Sequence, residues 1–216
     1  MQVTNFADTP SLLSRYMMEM RDATVQRDPL RFRRNLERAG QIMAYEISKT
    51  MRYRKEEIHT PLAPCTCDVL DEQVVLGTIF RAGVPFHQGF LQYFDYAENA
   101  FVSAYRKYKE KENFDVLIEY LASPHLDGKT LILCDPMLAT GASMELSFRA
   151  LLTKGTPAHV HVASVIASQA AVDYIRRTFP ENTSIWVGAI DEHINDHSYI
   201  VPGLGDAGDL AYGTKD

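Results

Sequence analysis

Residues 130–143 read TLILCDPMLATGAS. The apolar run Thr130–Cys134 indicates a buried strand, and Asp135 follows it directly. Small residues come next, and an amphipathic helix is predicted to open at Ser143. A strand–loop–helix connection of this kind can surround an anion with backbone N–H groups and the positive end of a helix dipole. An ordinary turn followed by a helix N-cap fits the same spacing, so both interpretations stay open on the spacing alone.

Two common nucleotide-binding motifs do not fit this loop. It lacks the Gly-Lys-Ser/Thr step of a Walker loop, and it lacks the three spaced glycines of a dinucleotide fingerprint. Asp135 stands where a carboxylate could hold ribose hydroxyls or, through water, a magnesium ion.

Outward from this loop, short β-rich runs alternate with helical patterns. This rhythm predicts an α/β fold with a central parallel sheet flanked by helices, whose ligands lie beyond the carboxyl ends of the strands. The predicted strands are Gln73–Phe80, Ala100–Tyr105, Thr130–Cys134, His159–Ile166 and Ser184–Ile190. The predicted helices of this region are Val84–Phe94, Ser143–Lys154 and Gln169–Phe179.

The first third of the chain is predicted to be helical. Asp28 is a suitable N-cap and Pro29 suits the first helical position. The apolar face of that helix is expected to comprise Phe32, Leu36, Ala39, Met43 and Ile47. A shorter helix is predicted from Ser11 to about Ala23, with an apolar face of Leu12, Leu13, Tyr16 and Met20.

Composition limits the classes of protein that the chain can belong to. It has 216 residues, 46% of them hydrophobic, and a formal charge of −6. This balance argues against a nucleic-acid or membrane-surface partner, both of which need a basic face. No apolar run is long enough to span a membrane, no signal peptide is recognised, and three cysteines cannot form a disulfide framework. We therefore expect a single-domain cytoplasmic protein.

The C-terminal segment has a different composition. Residues 198–209, SYIVPGLGDAGD, hold three glycines, one proline and two aspartates, which predicts a defined loop rather than a frayed tail. The preceding Asp191–His197 offers acids and two histidines four apart, but it lacks the His-Glu-x-x-His order of a zinc site.

Four blocks of this chain resemble one family. Residues 135–143, DPMLATGAS, are similar to the phosphoribosyl-diphosphate (PRPP) loop of uracil phosphoribosyltransferases, usually DPMLATGGS. Arg81–Gly83, Ala104–Arg106 and Tyr199–Asp209 resemble further family segments, in family order. The resemblance implies a phosphoribosyltransferase-type central parallel sheet flanked by helices, and a homodimer or homotetramer. It divides one domain into N-terminal helices at about 11–54, a core at about 57–190 and a small base-binding hood at about 191–216.

The resemblance also implies the chemistry. Family members transfer 5-phosphoribosyl from PRPP to N1 of uracil, giving UMP and diphosphate in pyrimidine salvage, with Mg²⁺ as cofactor. Arg81 and Arg106 are expected at the diphosphate, Asp135 at the ribose hydroxyls and Leu138–Ser143 around the 5-phosphate. The implied PRPP-binding residues are Arg81, Arg106, Asp135, Pro136, Met137, Leu138, Ala139, Thr140, Gly141, Ala142, Ser143 and Asp206.

Uracil recognition is carried over to the C-terminal loop. Ile200, Gly205 and Ala207 correspond to family residues that contact uracil largely through the main chain, and Asp206 lies among them. Asp206 is expected to reach PRPP through Mg²⁺. The implied catalytic residues are Arg81, Arg106 and Asp206. No residue is identified as a general base, for which Asp206 is a candidate by proximity alone.

Two departures from the family pattern leave alternatives open. Ala142 replaces a glycine, so its methyl group could crowd the phosphate or forbid a positive φ angle. Lys107–Asn113 reads KYKEKEN where the family usually has a glutamate-threonine stretch and a flexible shielding segment. A catalytically weak regulatory relative that binds UMP or PRPP is therefore the alternative, and an enzyme for another base is a third reading. Some relatives are activated by GTP, but no GTP-site residues are matched here.

Overall fold

The structure is a computed structural model of the chain. It describes the backbone of residues 1–108 and 114–214, and the side chains of residues 1–103 and 119–214. The strands are β1 (Gln2–Asn5), β2 (Tyr53–His59), β3 (Pro64–Leu70), β4 (Val74–Phe80), β5 (Glu98–Tyr108), β6 (Phe114–Ala122), β7 (Thr130–Cys134), β8 (Met137–Leu138), β9 (His159–Ser168), β10 (Thr183–Asp191), β11 (His193–Ile194) and β12 (Ile200–Val201). The helices are α1 (Leu12–Arg21), α2 (Pro29–Ser48), α3 (Gly83–Leu91), α4 (Ala142–Leu151), α5 (Gln169–Thr178) and α6 (Ala207–Tyr212).

One eight-stranded sheet forms the centre of the molecule. Its order is β1-β10-β9-β7-β4-β5-β6, with the short β8 also paired to β9. The pairs are parallel except β5 with β6, which form an antiparallel edge. The central strands are nearly continuous apolar runs, because helices cover both faces of a parallel sheet. The predicted fold class and all five predicted strands are confirmed.

Alternate residues of the strands face two hydrophobic layers. On one face, Leu76 and Ile132 pack with buried side chains of α1, α2, α3 and α6. On the other face, Val75 and Leu131 pack with α4 and α5. The predicted helices therefore enclose the sheet from both sides.

The N-terminal helices follow local signals. The Asp28 side chain accepts hydrogen bonds from the N–H groups of Leu30 and Arg31, so the predicted cap of α2 is confirmed. All five predicted apolar positions of α2 are buried. The predicted face of α1 is wrong at Leu12, which is 70% exposed, because Met17 takes the inward position beside Leu13 and Met20.

Several strands have no counterpart among the predictions. β1 pairs in parallel with β10 at the sheet edge, and β2 pairs with β3 in a separate antiparallel hairpin. The hairpin was missed because its strands are mostly exposed and lack apolar alternation. β6 was also not predicted, although it pairs with β5 from Phe101 to Tyr108.

No helix in the described part of the chain has both the length and the apolarity needed to cross a membrane.

Candidate active site

The carboxyl ends of two adjacent strands bring together the first site residues. β4 and β7 run in parallel, with Thr78 opposite Cys134. Arg81 follows β4 and Asp135 follows β7 directly, so both lie at the same edge of the sheet. This is the edge at which open α/β sheets bind ligands.

The loop after β7 runs beside β9 before it enters α4. The Asp135 N–H donates to the Ala163 carbonyl at 3.1 Å, and the Ile166 N–H donates to the Pro136 carbonyl at 3.0 Å. Met137 and Leu138 then pair with β9 as β8. The loop predicted to surround the 5-phosphate, Leu138–Ser143, is called the phosphate cradle below. Its beginning is therefore held against the sheet.

Gly141 is the N-cap of α4 and adopts the left-handed conformation, with φ of 81°. The helix begins at Ala142, one residue earlier than predicted, so Ser143 lies in the first turn rather than at the cap. The first-turn N–H groups of a helix have no intrahelical acceptors and favour an anion. Ala142 has helical rather than positive φ, so the concern that its methyl group forbids the backbone conformation is removed.

Ser168, at the end of β9, and Tyr174, within α5, support this loop. The buried Ser168 hydroxyl donates to the Ala139 carbonyl at 2.6 Å and accepts from the Ala171 N–H at 2.9 Å. The Tyr174 ring lies against Gly141, where a Cβ would come within 2.8 Å of its Cδ1 atom. Sequence reasoning missed both residues, although Ser168 before a predicted helix is a recognisable N-cap signal.

The C-terminal segment covers the same edge. β11 and β12 form a short hairpin, and α6 follows with Asp206 as its N-cap. The Ala207 N–H points to the Met137 Sδ atom at 3.4 Å, which joins the start of α6 to the cradle loop. The segment predicted to bind uracil therefore lies over the loop predicted to bind PRPP.

Arg81 connects the sheet edge to this segment. Its Nη2 atom donates to Asp209 Oδ1 at 2.9 Å, and its Nη1 atom donates to the Gly213 carbonyl at 3.2 Å. Arg81 and Asp209 are each more than a third exposed, so the guanidinium remains accessible from solvent. Asp209 belongs to the quoted C-terminal block but was assigned no role from sequence.

The three predicted main-chain contacts to the base differ in exposure. Ile200 is 3% exposed and Ala207 is 1% exposed, so their side chains point into the protein. Gly205 is exposed and has φ of 90°. Backbone groups rather than side chains are thus the parts of Ile200 and Ala207 suited to meet a ligand.

Two carboxylates set the electrostatics of the site. Burial raises the pKa of Asp135 to about 7, although a Met137 backbone hydrogen bond opposes the shift and the nearby Asp206 charge adds to it. A cation between these groups would relieve their repulsion, and Mg²⁺ favours one or two carboxylates together with phosphate oxygens. The residues present fit a magnesium ion delivered with a phosphorylated substrate.

The strand predicted over Ala100–Tyr105 is longer than expected. β5 continues to Tyr108, so Arg106 lies within it, and the Arg106 backbone pairs with Val116. The Arg106 side chain lies outside the described residues, as do residues 109–113 of the unusual segment. Cys134 is buried, its thiol donates to the Gly77 carbonyl at 3.2 Å, and burial raises its pKa, all of which suit a core residue.

The fold and this site together define a class: α/β proteins that bind a phosphorylated ligand at the carboxyl edge of a parallel sheet. The family profile described as uracil phosphoribosyltransferase matches residues 8–214. The uracil phosphoribosyltransferase of Porphyromonas gingivalis is 64% identical over 215 residues, covering 100% of both chains. The enzyme so named from Methanothermobacter thermautotrophicus is 39% identical over 188 residues, covering 86% of this chain and 85% of the relative. The chain belongs to the uracil phosphoribosyltransferase family.

Solved structures agree with the fold. A protein from Aquifex aeolicus superposes with a TM-score of 0.87 at 30% identity, covering 98% of each chain. A hypoxanthine phosphoribosyltransferase from Staphylococcus aureus reaches a TM-score of 0.50 at 12% identity, covering 74% of each chain. The second similarity concerns the fold alone.

Proposed function

We propose that this chain transfers the 5-phosphoribosyl group of PRPP to N1 of uracil, giving UMP and diphosphate in pyrimidine salvage. The proposal rests on one observation: the loop after β7 and the C-terminal segment lie together at one edge of the sheet. The Ala207 N–H lies 3.4 Å from Met137 Sδ, and this contact supports a site shared by the segment proposed to bind the base and the loop proposed to hold the phosphate. Family membership over residues 8–214 supports the choice of uracil.

The 5-phosphate is proposed to bind the loop from Leu138 to Ser143. Gly141 turns the chain so that the first-turn N–H groups of α4 face the anion, and the helix dipole adds to the attraction. Thr140 and Ser143 supply hydroxyl donors on the same loop. Asp135, at the base of the loop, is proposed to accept hydrogen bonds from the ribose hydroxyls.

The diphosphate is proposed to lie toward Arg81 and Arg106. Arg81 lies at the same sheet edge as the cradle and its guanidinium is accessible, so it can contact the leaving group while bonded to Asp209. Asp206, beside Asp135, is proposed to hold Mg²⁺ together with substrate oxygens. When bound, Mg²⁺ would neutralise charge on the diphosphate.

Uracil recognition is proposed to depend on backbone groups of Ile200, Gly205 and Ala207. Uracil presents two carbonyl acceptors flanking one N–H donor, and fixed main-chain groups can complement this pattern. Cytosine would leave buried donors or acceptors unpaired, which gives strong discrimination. The same loop makes another base an unfavoured substrate.

The reaction itself is proposed to rely on orientation and charge. The bond from C1′ to the diphosphate oxygen breaks, the bond from uracil N1 to C1′ forms, and the N1 proton is lost. C1′ develops positive character as the leaving group departs, and Arg81 stabilises the charge that appears on the diphosphate. Holding N1 against C1′ supplies much of the remaining acceleration.

The same proposal covers location and assembly. Three cysteines, too few for a disulfide framework, support a cytoplasmic location.

The β2–β3 hairpin exposes Tyr53, Ile58 and Leu62, and a lone two-stranded hairpin is marginally stable. These exposed apolar side chains support assembly as a homodimer or homotetramer.

The test compares the wild type with Asp206→Asn and with Asp196→Asn. Asparagine caps helices as well as aspartate does, so the first variant removes charge while keeping the start of α6. We expect UMP and diphosphate formation from uracil, PRPP and Mg²⁺ to fall by about 10²-fold or more in Asp206→Asn, the scale of losing one electrostatic group at a reacting centre. Asp196 is an exposed carboxylate of the same segment, and its variant should keep wild-type rates.

The regulatory alternative makes a different prediction. A wild-type protein that is stabilised against heat by UMP, yet forms no diphosphate from uracil and PRPP, would refute the catalytic proposal. Ala142 lies in α4 with ordinary helical geometry, which answers the concern about a positive φ angle but not the concern that its methyl group crowds the phosphate.

A further inference from the structure

A partly buried ion pair lies behind the C-terminal loop and takes no part in the chemistry described above. Asp191, the last residue of β10, is 8% exposed. Its two carboxylate oxygens accept from Arg21 Nη1 at 2.8 Å and Arg21 Nη2 at 2.9 Å. This is the bidentate geometry that gives an arginine–carboxylate pair both strength and a defined orientation.

The pair is bonded to the loop at one residue. The Gly203 N–H donates to Asp191 Oδ2 at 2.8 Å, and the Gly203 carbonyl accepts from Arg21 Nη1 at 3.1 Å. The ion pair thus holds both backbone polar groups of Gly203. We infer that Arg21 and Asp191 are positioning residues that fix the uracil-binding loop relative to the sheet.

Gly203 connects the ion pair to the residues predicted to contact the base. Its φ is 62°, and a Cβ there would come within 2.0 Å of the Ile200 carbonyl oxygen. The turn from Ile200 to Gly203 therefore brings the two residues into close contact and requires glycine at position 203. Leu204 is buried directly after it, so the start of the segment that carries Gly205 and Ala207 is anchored as well.

Arg21 is itself well placed to act as an anchor. It is the last residue of α1, whose Leu13, Met17 and Met20 are buried against the sheet. The Gln26 side chain donates to the Arg21 carbonyl at 3.1 Å, which secures the end of the helix. The Arg21–Asp191 pair and its two bonds to Gly203 are called the clamp below. The clamp joins three separate parts of the chain: the end of α1, the end of β10 and the C-terminal loop.

The side-chain contacts of the clamp do not include the phosphate cradle. The Asp191 backbone lies opposite Ser168 in the β9–β10 pairing, but the described hydrogen bonds of the Arg21 and Asp191 side chains go to each other and to Gly203. Loosening the clamp should therefore weaken uracil binding more than PRPP binding. This inference rests on the proposed role of the C-terminal loop in uracil recognition.

The experiment measures steady-state kinetics for Arg21→Ala, Arg21→Lys and Asp191→Asn, varying uracil at saturating PRPP and the reverse. In Arg21→Ala we expect KM for uracil to rise about tenfold or more and KM for PRPP to change less than about twofold, since removing one partner leaves a buried carboxylate unpaired. Arg21→Lys should recover part of the loss, because lysine keeps the charge but not the bidentate geometry.

Arg15→Ala is the matched control. Arg15 lies on the same helix and pairs with Glu19, but its side chain is largely exposed. This variant should leave both KM values near those of the wild type. Thermal melting of each variant shows that it is folded, and should Arg21→Ala fail to fold, the comparison of Arg21→Lys with Asp191→Asn carries the test.

Two results would overturn the positioning role. One is an unchanged KM for uracil in folded variants, and the other is an equal rise in both KM values, which would indicate general loosening. A wild-type protein without uracil-dependent turnover would refute the proposed function itself, and the positioning role with it. An active wild type with insensitive variants refutes the clamp alone.

Discussion

Ser168 illustrates how one buried hydroxyl serves two elements. It caps α5 by accepting from the Ala171 N–H, and it holds the Ala139 carbonyl of the cradle loop. Ser168, 29 positions after Ala139, thereby supports the loop that is proposed to bind the phosphate. Its hydroxyl caps α5 and also holds that loop in place.

Ser168→Ala should raise KM for PRPP severalfold while KM for uracil changes little. The substitution leaves the Ala139 carbonyl without this partner and removes a helix cap, each a loss of about 1 kcal/mol or more. Kinetics with each substrate varied in turn measure the effect. Ser11→Ala removes the corresponding cap of α1, far from the cradle, and should lower stability without changing KM for PRPP. Equal effects of the two variants on PRPP would contradict this role.

At the scale of elements, α2 and α3 pack backbone to backbone. A Cβ at Gly89 would lie 2.1 Å from the Glu37 carbonyl oxygen, and one at Gly40 would lie 2.3 Å from the Phe86 carbonyl oxygen. The two glycines face each other across the helix contact. This close approach sets the position of α3, which begins two residues after Arg81.

Gly89→Ala should destabilise the protein by about 1–3 kcal/mol, the usual cost of overpacking a tight contact. Helix propensity alone predicts the opposite sign, a gain of roughly 0.5–1 kcal/mol. Urea unfolding measures the free energy of unfolding and decides between them. Gln88→Ala, at the adjacent exposed position, should be close to neutral. A stabilised Gly89→Ala variant would show that the helices can separate without cost.

At the scale of the whole molecule, buried titratable groups link stability to pH. His161 is buried in the sheet, and its Nδ1 atom accepts from Trp186 Nε1 at 3.0 Å. Burial lowers the pKa of His161 to about 3, and the neighbouring His159 adds to the shift. The unfolded chain therefore binds more protons than the folded chain between about pH 6.5 and pH 3.

As the pH falls below about 6.5, His161 should cost up to about 1.4 kcal/mol of stability per pH unit. Asp135, whose pKa is raised, acts in the opposite direction over part of this range. The difference between the wild type and His161→Gln isolates the histidine, and urea midpoints from pH 7.5 to 4.5 measure it. The urea midpoint of His161→Gln should fall less steeply with decreasing pH than that of the wild type. The midpoint of His197→Gln, a change at an exposed site, should follow the wild type. Parallel curves for wild type and His161→Gln would refute this linkage.

Prediction from sequence succeeded where the signals are local. The cap at Asp28 and the apolar periodicity of α2 identified that helix, and the run before Asp135 identified β7. It failed for the β2–β3 hairpin, whose exposed strands carry no core-facing pattern, and for the inward position of Met17. The motif resemblance supplied the candidate site residues, but it left their geometry undetermined.

The sequence by itself determined the fold class and the family, and it indicated the two loops proposed to bind ligands, because capping, periodicity and motif order are properties of neighbouring residues. The tertiary structure alone decided which side chains support those loops. Arg21 meets Asp191 across 170 positions, and Ser168 meets Ala139 across 29. Contacts between residues so far apart depend on how the sheet brings its strand ends together, and no local pattern encodes them.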